Sequence, residues 1–205
     1  MRRMHWRTVV GLVVALPVAA ILLGIFACLP VPVGDPEKSK VDDKLVGGWI
    51  KRSDDAPDSL YVVRAFDART YLVQTFEFDD KDGKIEPKGT GDYKAWLTEL
   101  GGVRFMTLQP LPIEEPMGYM EKDAKRVWVV MKLETKGADL NIQMVKPDAD
   151  LLKDVKTREE AEKVLTANAK NADIYGEPVL MRKVTDKDKE LVKKVQEAFK
   201  EEVGK

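Results

Sequence analysis

Between residues 126 and 146 apolar and polar side chains alternate with a period of two. Val127, Val129, Met131, Leu133 and Thr135 share one side, and Val130, Lys132 and Glu134 share the other. After Lys136-Gly137 the alternation resumes, with Leu140, Ile142 and Met144 set against Asp139, Asn141 and Gln143. A helix would turn these residues to every side, whereas a strand gathers each set on one face. Two such runs joined by a tight turn must pair antiparallel. The same period predicts strands near 46–52, 59–67, 70–79, 90–99, 103–109, 126–135 and 138–146. The segments between them carry turn chemistry: Asp67-Ala68-Arg69, Asp79-Asp80-Lys81-Asp82-Gly83 and Gly101-Gly102. Strands joined by short turns read as an antiparallel meander. Residues 41–44 suit a short helical turn before it.

Beyond Pro147 the period changes. Thr157-Arg158-Glu159-Glu160 is a capping box, in which the Thr hydroxyl and the Glu carboxylate satisfy each other's backbone amides. Ala161, Val164, Leu165 and Asn168 then fall on one helical face. One more strand is expected over 179–184. Thr185 caps a last helix whose apolar stripe is Leu191, Val192, Val195, Phe199 and Val203.

The chain opens differently. Residues 9–29 are 21 consecutive residues without a charge, long enough to span a bilayer and longer than an ordinary signal-peptide core. Arg2, Arg3 and Arg7 precede the run and Trp6 stands at its edge, which keeps that end in the cytoplasm and the rest outside. The run ends in Ile25-Phe26-Ala27-Cys28, which resembles a bacterial lipobox, and that resemblance implies a lipidated Cys28. A lipid on Cys28 and an uncleaved helix give the same extracytoplasmic address by different anchors. Residues 29–40 hold three prolines and a glycine and read as an extended spacer lifting the domain off the membrane. The chain thus divides into a targeting or anchor segment at 1–28, the spacer at 29–40, a β-domain at 41–184 and a C-terminal amphipathic helix at 185–205.

Several functions are closed to the exported part. Three of the chain's 34 basic residues and none of its 35 acidic ones precede Cys28, leaving 31 against 35 and a net charge of −4. Such a surface gives no argument for nucleic acid. The one histidine is His5 and the one cysteine is Cys28, so the chain beyond Cys28 carries neither imidazole nor thiol. Zinc or copper sites of the usual ligand types, Ser-His-Asp or Cys-His nucleophiles and internal disulfides are thereby excluded. Only carboxylate, Lys or Tyr chemistry is left for catalysis. Glu114 and Glu115, on a proline-rich loop over 110–125, are the paired carboxylates, and they read as solvated surface. No enzyme activity, metal or cofactor is expected.

Gly47-Gly48-Trp49 opens the first strand of the meander. A Gly-x-Trp in that position, with a late helix and a closing strand, resembles the signature of lipocalins and related calycin barrels. The resemblance covers residues 41–184. It implies an eight-stranded barrel with Trp49 across its closed end and a late basic residue over the indole, a place that Arg182 fits by position. It also implies an interior that is either filled or holds one small apolar ligand. Phe66, Phe76, Phe78, Tyr93, Phe105, Met131 and Met144 are the candidates to line it. The expected fold is mainly β, a lipocalin-like barrel with a helix before the last strand and another after it. The expected function is non-catalytic, either binding a small apolar molecule or, through a filled barrel and its C-terminal helix, docking a protein partner in a bacterial envelope.

Overall fold

The computed structural model describes residues 28–51, 58–111 and 128–203. The apolar run as far as residue 27, and most of the loop over 110–125 with Glu114 and Glu115, lie outside the described residues. The strands are β1 (Cys28–Leu29), β2 (Gly47–Lys51), β3 (Ser59–Ala65), β4 (Tyr71–Lys81), β5 (Lys84–Leu100), β6 (Val103–Pro110), β7 (Trp128–Lys136), β8 (Asp139–Met144) and β9 (Val179–Lys183). Helix α1 (Arg158–Asn168) precedes β9, and α2 (Lys189–Val203) follows it.

Each strand from β2 to β9 pairs antiparallel with the next, and β9 returns to pair with β2. Eight strands therefore close into a barrel, as the alternation and short turns imply. The β3–β4, β5–β6 and β7–β8 turns lie at the end where β2 begins. The opposite end, where β2 and β8 finish and β7 begins, is the rim.

The apolar residues separate into three groups. The first fills the barrel and includes Trp49, Val73, Met106, Met131, Leu133 and Met181. The second lies outside the wall, where Phe105, Val130 and Val145 meet Leu29, Val33, Leu165 and Tyr175. The third joins Ile50, Leu60, Phe78 and Ile85 to Val195 and Phe199 of α2. Both faces of much of the sheet are thus buried.

Residues 29–40 do not extend as a spacer. They lie against the outer wall, with Leu29 and Val33 fully buried and Val31 packed beside them. In Leu29-Pro30-Val31-Pro32-Val33 the apolar residues recur every second position and face one side. The prolines between them have no N–H to leave unsatisfied. The Val33 carbonyl accepts from Trp96 Nε1 at 2.8 Å and from Thr107 Oγ1 at 2.7 Å. Ser39 Oγ accepts from the Leu97 amide at 2.9 Å. Composition points to a linker; burial makes the segment part of the domain.

Two further differences have local causes. β5 begins at Lys84, so the β4–β5 hairpin is longer than the sequence reading, with a register shift beside Glu77 and Phe78. Its outer face is covered by α2, where Phe76 meets Phe199 edge-on at 5.2 Å. The residues at 42–46 form hydrogen-bonded turns, Leu45 to Asp42 and Val46 to Asp43, and not a helix. Both helix starts match expectation. Thr157 and Glu160 form the reciprocal cap of α1, and Thr185 with Asp188 opens a single 3-10 turn that leads into α2.

Candidate functional site

Trp49 places the interior. Its strand starts with Gly47 at φ 128°, a conformation that side-chain-bearing residues rarely adopt. A Cβ on Gly48 would stand 2.7 Å from Val184 Cγ2. The two glycines let β2 turn in beneath the end of β9, and the indole then points into the barrel. Trp49 Nε1 donates to the Leu45 carbonyl at 2.8 Å, which satisfies its one polar atom.

The cation over the indole is Lys183, with Nζ 5.5 Å from the ring centre. The expectation that Arg182 takes this place is corrected by register. Trp49 stands opposite Lys183, while Arg182 stands opposite Ile50 and so faces outward. There Arg182 holds both carboxylate oxygens of Asp188, at 2.7 and 2.8 Å. The guanidinium, reinforced by the Thr185 amide and hydroxyl, holds the Asp188 carboxyl well below the usual range. This fork ties the start of α2 to the closing strand.

A polar group closes the same end. Asp42 pairs with Arg104, and its amide donates to Tyr71 Oη. Burial pushes the Asp42 carboxyl up, but the Lys44 amide and Arg104 outweigh it, and the net shift is downward.

Among the described residues, the space left inside is small. A cavity of about 30 Å³ lies among Trp49, Tyr61, Val73, Met106, Met131 and Met181. An apolar cavity large enough for benzene is on the order of 150 Å³. Nearer the rim, Tyr61 also borders a polar depression of about 360 Å³ with Lys51, Asp58, Ser59, Glu77 and Lys88. Four of its charges are paired: Lys51 reaches Asp58 at 2.7 Å, and Lys88 reaches Asp79 at 2.5 Å. Burial, with Glu77 nearby, pushes the Tyr61 phenol up to about 12, so it stays protonated at neutral pH. Burial raises the Asp58 carboxyl, yet Lys51 and Ser59 bring it below its ordinary value. That is the wrong direction for a general acid.

The seven candidate lining residues separate by strand parity. Met131 lines the cavity and Tyr93 packs inward beside it. Met144 is opposite Met131 but at the rim, 39% exposed. Phe76 and Phe78 face out under α2, because Val73 and Tyr71 take the inward positions of β4. Phe105 faces out and stacks on Tyr175, because Met106 takes the inward place. Phe66 is 60% exposed beside Lys94 at the β3–β4 turn. Leu45, Tyr61, Val73, Met106, Met181 and Lys183 are among the site residues that the sequence reading missed. Which of Lys183 and Arg182 meets the indole depends on the register of β9 against β2.

No protein-family model, no curated protein and no solved structure matches the chain.

Proposed function

We propose that the protein is a membrane-tethered, extracytoplasmic barrel of the calycin kind whose core is filled, and that it acts through its outer surface as a non-catalytic interaction module of a bacterial envelope. The observation that carries this is the interior volume of about 30 Å³ around Trp49 and Met131. Two ordered waters would exhaust it, and a lipid or pigment would have to displace close-packed side chains. The tether is supported by the uncharged run over 9–29, the arginines before it and the lipobox-like end at Cys28. A non-catalytic role is supported by the absence of His and Cys after Cys28, and by the charge pairing at the rim.

The test is native mass spectrometry of the protein extracted from its own membranes, together with titration of an apolar fluorescent probe. The expected result is a mass explained by chain and anchor alone and no stoichiometric probe binding. A one-to-one apolar ligand would overturn the filled-core reading and restore the small-ligand reading that the calycin resemblance carries.

A further inference from the structure

We infer that the barrel is held directly against the bilayer where β1 meets β7, with no spacer between anchor and domain, on a different side of the barrel from α2. The inference rests on the membrane-anchored reading above. It holds for either anchor, because a lipid on Cys28 and an apolar helix through residue 27 both leave the membrane where β1 begins.

Twelve extended residues, 29–40, would span about 40 Å. They supply none of that reach. Cys28 pairs with Val129 and Leu29 with Trp128, at the rim end of β7. From there the chain runs along the wall, tied through the Val33 carbonyl and through the Gly34 amide, which donates to Glu162 Oε1 at 3.0 Å. Going round the barrel, β7 is four strands from β3 in either direction. The helix α2 covers Ile50, Leu60, Phe78 and Ile85 of β2, β3, β4 and β5. Around the barrel the helix is therefore centred away from the anchor, and both lie toward the rim.

The surface near the anchor suits a lipid interface. Among the described residues, the exposed large apolar side chains are Phe66 at the closed end and Met144, Leu151 and Leu180 on or beside β8 and β9. Leu151 sits in the loop after β8, which packs on the anchor's wall through Leu152 and Val155. Scattered apolar side chains held at a headgroup layer lose contact with water there. The charges near the rim are of both signs, so the anchor, and not attraction to anionic lipid, holds this face down.

The experiment uses the full chain in vesicles prepared from membranes of the expressing cells. Reporters are introduced one at a time as M144C, L151C, K136C and E197C, all at exposed positions, labelled with a fluorophore and read against the unsubstituted protein labelled in the same way, since an unacylated Cys28 keeps its thiol. Quenching is read on adding lipid with a nitroxide headgroup, and the mass of each protein is recorded. The expected result is severalfold stronger quenching at 144 and 151 than at 136 and 197. Equal quenching at all four, with a mass showing acylated Cys28 or an intact N-terminal segment, overturns the orientation and leaves the anchor standing. A mass with neither overturns the anchored reading, and the orientation with it.

Discussion

Lys183 Nζ stands 5.5 Å from the centre of the Trp49 indole, across the seam where the last strand of the barrel meets the first. The same lysine donates to the Lys44 carbonyl, so it covers the ring and ties down the turn below it. Two substitutions separate the ring from the cation. Trp49→Ala removes a buried aromatic and is expected to cost about 3–5 kcal/mol. Lys183→Met removes the cation–π contact together with the hydrogen bond to the Lys44 carbonyl and is expected to cost about 0.5–2 kcal/mol. Urea unfolding of both variants checks the order, and Arg182→Met should leave the environment of the indole unchanged.

The docked segment gives a test of where the domain begins. Removing residues 1–27 is expected to leave the stability of the barrel intact. Removing residues 1–40 strips the acceptor from Trp96 Nε1 and Thr107 Oγ1. Each donor left buried and unpaired costs about 1–3 kcal/mol. Equal urea midpoints for the two truncations would restore the spacer reading.

The filled core predicts a gain of function on enlargement. Met131→Ala is expected to destabilise by about 2–5 kcal/mol and to open a void beside the existing cavity. The variant should then bind benzene or indole, as apolar voids of that kind do. Calorimetric titration of both proteins decides it, with binding expected only in the variant.

Asp188 makes α2 sensitive to acid. Arg182 and Thr185 hold its carboxyl below the ordinary value of 3.8. A depressed native value contributes stability that is fully present above the unfolded-state value and is lost as pH falls through the native one. The contribution is therefore constant from neutral pH down to about pH 5 and fades below about pH 4. Asp188→Asn is expected to cost about 1–2 kcal/mol at pH 7, the lower part of the range for charged hydrogen bonds because Arg182 is partly solvated. The gap between variant and wild type should close toward about pH 2. A gap that does not narrow between about pH 4 and about pH 2 would assign the cost to packing.

How much of this was legible in the sequence depends on how local the signal is. The hairpin around Lys136-Gly137 shows plainly, because two half-buried strands write their faces as alternation. The cap at Thr157 shows because its partners are three residues apart. Phe76, Phe78 and Phe105 mislead for a physical reason. They are large and apolar on strands buried on both sides, so hydrophobicity does not tell the inner face from the outer. Only registration against Trp49 separates them.

Residues alone determined the antiparallel meander, the two late helices and the want of imidazole and thiol beyond Cys28, since each follows from nearest-neighbour chemistry or from composition. The tertiary structure decided that β9 meets β2, that Lys183 and not Arg182 covers the indole, that residues 29–40 belong to the wall, and that the described residues around Trp49 leave a cavity of about 30 Å³. Those four depend on which distant surfaces exclude water together. A buried face is shared between segments far apart in the chain, and no single segment carries its record.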